Sequence, residues 1–408
     1  MTYLKKTISG FFWTSALSGS IRVLAFAKIA VMARILLPSQ FGEFAVVSMI
    51  LAFLEIITET GINVFLIQEK DSLSRYLNTA WVVSILRGIV VCAVMIVASD
   101  PVAKFFNIPS VRPLIILAGL IPFIRGFINP ACVKFQKELF FSKEFWYRFS
   151  IVVIEIGLTL LFALSTKSAV SIVLGLMGSA VFEVAISWVF ISPRPKANLN
   201  YFQVRTVLSR GKWVTGFGLF DYLFTTADNL VVGKLLGSSA LGIYQNAYKL
   251  GILPSSQAND VYYKSMTPVF VRMSEENKDL KKAVLWGTGG VLLLHIVLGA
   301  VVYLKASDLV RIILGPNWLM AIPVVKIIAV MGAIRGIAYA PNSLLVGKLR
   351  QQYVTVVTAV AMLGLLVFIV PMTVRYGLVG AGYAATLGAT LSLPVSIYYF
   401  TKVVRGES

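Results

Sequence analysis

Apolar runs of about 20 residues recur from one end of the chain to the other, separated by short polar stretches. Each is long enough to cross a bilayer as a helix. The pattern predicts twelve spans at 10–34, 41–67, 78–99, 111–133, 145–165, 168–192, 212–236, 241–267, 283–304, 318–346, 353–374 and 378–401. The longest connections are 134–144, 193–211 and 268–282. A β-barrel would show short alternating segments instead.

The pattern also repeats. Asp228 to Leu250 reads DNLVVGKLLGSSALGIYQNAYKL, and Lys28 to Ile50 reads KIAVMARILLPSQFGEFAVVSMI. Aligned without a gap, Ser9/Ser209, Trp13/Trp213, Ala27/Ala227, Val31/Val231, Leu36/Leu236, Ser39/Ser239 and Gly42/Gly242 are identical. In both copies an apolar helix ends on a basic residue, Arg34 or Lys234, and a short turn leads to a second apolar helix. A tandem duplication follows, with 1–192 as an N-terminal six-helix bundle, 193–211 as a basic linker and 212–408 as a C-terminal six-helix bundle. Six spans per half start both halves from the same side, which makes a parallel repeat.

Composition agrees. The chain has 408 residues, of which 58% are hydrophobic and 13% charged, too little polar surface for a soluble domain of this length. The net charge of +19 does not indicate nucleic acid, because Lys and Arg crowd short loops between apolar runs. With the N-terminus in the cytoplasm, that side carries 22 Lys and Arg, the other side 8, and seven lie within spans. This bias places both termini inside. Trp13, Trp81, Trp146, Trp188, Trp213 and Trp286 fall near cytoplasmic span ends, where an indole suits the headgroups. Cys92 and Cys132 both lie in spans and imply neither a disulfide nor a zinc site. Lys5, Lys6 and the following apolar run mimic a signal peptide. Arg22 interrupts that run and the duplication needs the segment, so it reads as an uncleaved span.

The charges inside the spans carry the chemistry. Arg22, Lys28, Arg87, Arg125, Lys249, Lys326 and Arg335 are matched by Glu55, Glu59, Glu155, Glu183, Asp221, Asp228 and Asp260. Each costs about 2.5–3.5 kcal/mol at the bilayer centre, so most must face one another or a water-filled cavity. Asp221, Thr225 and Asp228 share a helical face, as do Gln245, Lys249, Ser256 and Asp260, then Ser48, Glu55, Glu59 and Asn63, and again Ser15, Ser18 and Arg22. Matched hydrophobic halves with charges at depth suggest a transporter with its site between them. Lys28 and Asp228 occupy equivalent repeat positions with opposite charge, which allows either a salt bridge between halves or a gate. Arg34, Lys234, Glu183 and Lys326 sit near span ends and read as structural. His295 invites a proton-relay reading, but with no acid within two turns a helix–helix hydrogen bond is favoured. Pro122, Pro130, Pro254, Pro323, Pro341, Pro371 and Pro394 mark expected kinks, and the pairs Gly175/Gly178 and Gly332/Gly336 mark close packing. There is no phosphate-binding Gly-Lys-Ser/Thr loop, no metal-spaced His/Cys set and no catalytic constellation, so the chain reads as a non-enzyme.

Four stretches in order resemble a known family: ARILLPSQFGEFAVVSMILAFLEIITETGINVFLIQEKD (33–71), ADNLVVGKLLGSSALGIYQNAYKL (227–250), VRIILGPNWLMAIPVVKIIA (310–329) and GLVGAGYAAT (377–386). They are similar to the bacterial polysaccharide transport family, the oligosaccharide-lipid flippases of the multidrug/oligosaccharidyl-lipid/polysaccharide exporter (MOP) superfamily, and most resemble the colanic acid exporter-like branch. The resemblance implies an all-α polytopic membrane protein with about twelve transmembrane helices in two repeated six-helix bundles around a central lumen. It implies an inner-membrane flippase moving a polyprenyl-diphosphate oligosaccharide from the cytoplasmic to the outer leaflet, for exopolysaccharide, O-antigen or capsule assembly.

Under that resemblance lumen cations bind the diphosphate: Lys28 and Lys249 are expected there by motif position, and Arg22, Arg87, Arg125 and Arg335 by their depth in the spans. Asp228, Asp221, Glu55, Glu59, Glu155 and Asp260 are expected to couple or gate. No cofactor or metal is expected, coupling to H+ or Na+ is allowed, and the partners expected are membrane lipids, a polysaccharide polymerase and chain-length machinery, with no nucleic acid. The sequence ends after the twelfth span, so the extra spans of longer relatives are expected to be absent. Three alternatives stand beside this reading: a multidrug or cation antiporter of the same superfamily, a peptidoglycan-precursor flippase, and a non-transporting scaffold for polysaccharide assembly.

Overall fold

The computed structural model describes residues 3–58, 61, 66–67, 74–198, 200–275 and 280–405, and all regular structure among them is helical. Eight of these helices are long and apolar enough to cross a bilayer, nine when one bent pair is counted as a span. The chain divides into two compact units, Met1–Thr225 and Thr226–Ser408.

In the first unit α1 (Tyr3–Ile35) and α2 (Pro38–Ile57) are separated at Leu36–Leu37. Pro38 fits the first turn of α2 because it has no N–H to lose there. Helix α3 (Ser74–Phe106) is followed by α4 (Val111–Arg125), α5 (Phe141–Thr166) and α6 (Val170–Phe190). The third span runs past its expected end at 99, with Asp100 and Lys104 forming an ion pair of 2.6 Å one turn apart. The fourth span is not continuous to 133. It breaks after Arg125 and resumes at Pro130–Lys137 with a 71° bend.

The break has a physical cause. Pro130 offers no backbone donor for continuing the helix, and Asn129 instead caps the new turn, its side chain accepting from Ala131 N. Fully buried Asn129 also donates to the carbonyls of Ile191 and Pro193 at the end of α6. The freed carbonyl of Phe127 accepts from the indoles of Trp188, at 2.8 Å, and Trp81, at 3.4 Å. These two tryptophans, expected at the headgroups, are spent on the broken helix, and their rings meet edge to face.

Helix α7 (Tyr201–Glu275) takes in the later part of the predicted linker 193–211 and breaks at Gly237, where φ is 82°. Helices α8 (Leu280–Leu309), α9 (Ala321–Tyr339), the short α10 (Asn342–Gly347) and α11 (Gln351–Val404) complete the chain, α11 breaking at Gly377. With α7 and α11 each read as two spans, about twelve segments result, as hydropathy predicts. The non-helical backbone inside α7 and α11 lies at Gly237 and Gly377, not at Pro254 or at Pro371 and Pro394, where proline predicts kinks.

The repeat extends to the backbone. The α1–α2 break around Leu37 matches the break at Gly237. Left-handed residues Asn107, Leu139 and Lys167 in the first half are matched in order, at nearly constant spacing, by Gly315, Leu349 and Gly377. Glycine seams recur too. Gly88 lies against Pro122 and Phe123 where α3 meets α4, and Gly299 lies against Ala329 and Ala333 where α8 meets α9. The expected close packing is present where Gly175 and Gly178 abut Thr159 and Leu158, and where Gly336 abuts His295.

Candidate functional site

A cavity of about 550 Å³ lies within the first unit. Three arginines (Arg87, Arg125, Arg148) and four glutamates (Glu55, Glu144, Glu155, Glu183) line it, with apolar groups such as Ile21, Ile151 and Val152 between them.

Each charge is set by a helix. Arg125 is the last residue of α4, where a cation suits the helix C-terminus. Its guanidinium stands between two carboxylates, Glu55 of α2 at 4.0 Å and Glu183 of α6 at 3.9 Å. Both contacts are longer than a hydrogen bond, and the buried Nε–H of Arg125 has no acceptor among the described residues. Arg87 of α3 donates to the Glu55 carbonyl at 2.8 Å and to Thr58 Oγ1 at 3.0 Å, closing the end of α2. Lys28 of α1 donates to Glu155 of α5 at 2.7 Å. Arg148 and Glu144, one turn apart on α5, pair at 2.8 Å, and Gln136 donates to the same Glu144 oxygen at 2.7 Å.

Of the twelve residues singled out from sequence, Arg87, Arg125, Glu55 and Glu155 come together on this cavity, and Lys28 joins through Glu155. Arg22 is exposed on α1, next to Ile21 of the lining. Glu59 lies outside the described residues, as does the side chain of Asp221.

In the second unit, Asp228 accepts from Tyr244 at 2.9 Å and from the backbone and side chain of Asn229. Asp228 thus has its partners within the second unit, as Lys28 has Glu155 within the first. Arg335 donates to Tyr248 at 3.1 Å and lies 5.3 Å from the Tyr339 ring. Lys249 and Asp260 are exposed on α7. His295 bonds Asn259 of α7 at 3.1 Å, the helix–helix contact favoured above. Lys326 lies 5.3 Å from the Tyr303 ring.

Sequence reading does not assign three charged lining residues to the site. Glu183 reads there as a structural span-end group, and Arg148 and Glu144 as parts of a span start and a loop. Glu144, Arg148, Ile151 and Glu155 nonetheless recur at helical spacing, which is the readable signal. Among the described residues no three His, Cys, Asp or Glu side chains form a metal-ligating group.

The fold is shared with two solved membrane proteins. Lipid II flippase MurJ in an inward closed conformation superposes with a TM-score of 0.75 at 11% identity, over 96% of this chain and 90% of that one. An inward-facing multidrug resistance MATE family transporter superposes with a TM-score of 0.68 at 15% identity, over 95% of each chain.

Residues 31–323 match the family described as polysaccharide biosynthesis protein, and the chain belongs to that family. Lipopolysaccharide biosynthesis protein WzxC of Escherichia coli strain K12 is 27% identical over 354 residues, 86% of this chain and 72% of that protein. Teichuronic acid biosynthesis protein TuaB of Bacillus subtilis strain 168 is 21% identical over 348 residues, 85% of this chain and 72% of that protein. The chain is a multi-pass membrane protein.

Proposed function

We propose that this protein flips a polyprenyl-diphosphate-linked oligosaccharide from the cytoplasmic to the outer leaflet of the inner membrane by alternating access, with both termini cytoplasmic. The observation that carries the reading is the arginine-bearing cavity of the first unit.

A diphosphate cannot enter hydrocarbon without compensation. One cation about 4 Å from one phosphate charge contributes about 4 kcal/mol at an effective dielectric of 20. Arg125 is the strongest candidate ligand. It is held loosely between Glu55 and Glu183 and keeps an unused Nε–H, so a phosphate can claim its donors. Arg148 follows, exposed and paired with Glu144. Arg87 is committed to the end of α2 and supports the site more than it binds. Lys28 is committed to Glu155.

Release then follows when the carboxylates recapture their arginines, a cycle that H+ or Na+ binding at Glu55, Glu155 or Asp228 would drive. Membrane lipids, a polymerase and chain-length machinery are the partners such a route needs. Four glutamates in the lining favour one second reading, a cation antiporter of the same fold class.

The test is leaflet exchange of a fluorescent polyprenyl-diphosphate oligosaccharide by the purified protein in liposomes. Wild type should exchange the lipid, and Arg125→Ala should lower the rate at least tenfold. If wild type leaves the lipid in place but extrudes a cationic dye under a proton or sodium gradient, the antiporter reading replaces this one.

A further inference from the structure

Beside the charged cavity lies a second, smaller one of about 290 Å³, lined by Trp13, Thr14, Leu17, Phe141, Gln136 and Glu144. The last two also line the charged cavity, so the compartments share a wall. That wall is the hydrogen-bonded pair Gln136–Glu144, and Glu144 also accepts from Arg148 on the charged side.

The two helices that form the groove continue into the charged cavity. On α1, Thr14, Leu17 and Ile21 follow one stripe, the first two in the groove and Ile21 in the cavity. One turn, about 6 Å, separates Leu17 from Ile21. On α5 the stripe Phe141, Glu144, Arg148, Val152 and Glu155 makes the same passage, ending at the Lys28–Glu155 pair. The groove is apolar apart from its shared wall and Thr14. It is also open to the side: Thr14 is exposed, as are Phe11 and Phe12 on the preceding turn of α1.

We propose that this groove holds the isoprenoid segment nearest the diphosphate of the flipped lipid, and that Arg148 binds the phosphate ester at the junction. The inference rests on the flippase reading and deepens it. An amphiphile with a dianionic head and a hydrocarbon tail needs a charged compartment and an apolar one in direct contact. The α1/α5 face supplies both, with a cation at the boundary. Transfer of the tail into the groove keeps the rest of the isoprenoid in lipid while the head stays with Arg125 and Arg148.

The experiment measures binding to the purified full-length protein in nanodiscs by two probes, inorganic pyrophosphate and farnesyl diphosphate. Wild type should bind farnesyl diphosphate at least tenfold more tightly. Thr14→Trp and Leu17→Trp, which fill the groove, should reduce that preference below threefold and leave the pyrophosphate Kd unchanged. Val153→Trp, on the exposed side of α5, should leave both probes unaffected.

A benzophenone-bearing farnesyl diphosphate should label wild type within 10–21 or 141–152, a readout independent of how the variants fold. Retained tenfold preference in both groove variants, or labelling elsewhere, overturns the inference. Pyrophosphate binding without any farnesyl preference overturns the groove but leaves the flippase reading standing. Binding of neither probe overturns both.

Discussion

Lys28 and Glu155 stand 127 positions apart and meet at 2.7 Å, tying α1 to α5 where Glu155 lines the charged cavity. Both side chains are largely withdrawn from solvent, at 17% and 22% exposure. Removing one partner leaves the other charge poorly solvated, which costs more than the pair contributes when intact. Lys28→Ala and Glu155→Gln should each destabilise the protein by about 1–3 kcal/mol. The charge swap of Lys28→Glu with Glu155→Lys should recover most of that loss. Thermal unfolding in one detergent across the double-mutant cycle checks this. Additive losses with no recovery would mean the two residues act independently.

The glycine at the α7 break provides a conformational test. Gly237 has φ of 82°, and among the described residues a methyl group added there meets nothing within contact distance. Gly237→Ala therefore brings no steric clash, only backbone strain of about 1–3 kcal/mol. Gly157, on α5, has equally open surroundings but helical backbone. Gly157→Ala should be neutral or stabilise by up to about 1 kcal/mol. Opposite shifts in melting temperature for the two changes are expected. Equal shifts would show that Gly237 carries no left-handed constraint.

Span positions and the repeat are legible because apolar run length and the 28–50/228–250 identities are local properties of the chain. Which charges meet is not. Lys28 meets Glu155, and Arg125 stands between Glu55 and Glu183, because of how five helices pack. Hydropathy places the start of the fifth span at 145. Helix α5 starts at Phe141, which brings Glu144 within the helix and one turn from Arg148. The break at Gly126–Asn129 is hidden for a similar reason. Pro130 alone signals a kink, but the carbonyl acceptor for two indoles exists only once α3 and α6 flank it.

Those indoles differ in their hold on Phe127. Trp188 donates at 2.8 Å and Trp81 at 3.4 Å. Trp188→Phe keeps an aromatic ring, though a smaller one, and removes the better donor, leaving the carbonyl to the weaker one. A loss of about 1 kcal/mol is expected, against a smaller loss for Trp81→Phe. Melting temperatures of the two variants give the order. The double variant should lose more than both together, because the carbonyl is then unsatisfied. Equal, additive effects would show that ring packing rather than the hydrogen bonds holds the break.

The α3–α4 seam sets how far the cavity opens, because Gly88 and Arg87 are adjacent and both line it. A methyl group at Gly88 would stand 2.5 Å from the Pro122 carbonyl oxygen and 3.0 Å from the Phe123 Cα. Those are backbone atoms of a helix and cannot turn aside, so α3 and α4 must separate. Overpacking of this kind costs about 1–3 kcal/mol. It also moves Arg87 from Thr58 and the Glu55 carbonyl, loosening the end of α2. Gly178→Ala is the control, since its new methyl meets only the tip of Leu158, a flexible side chain that can change rotamer. Gly88→Ala should lower both melting temperature and diphosphate affinity, and Gly178→Ala should lower neither by much. Intact affinity in Gly88→Ala would mean that the arginines of the cavity do not depend on the spacing of α3 and α4.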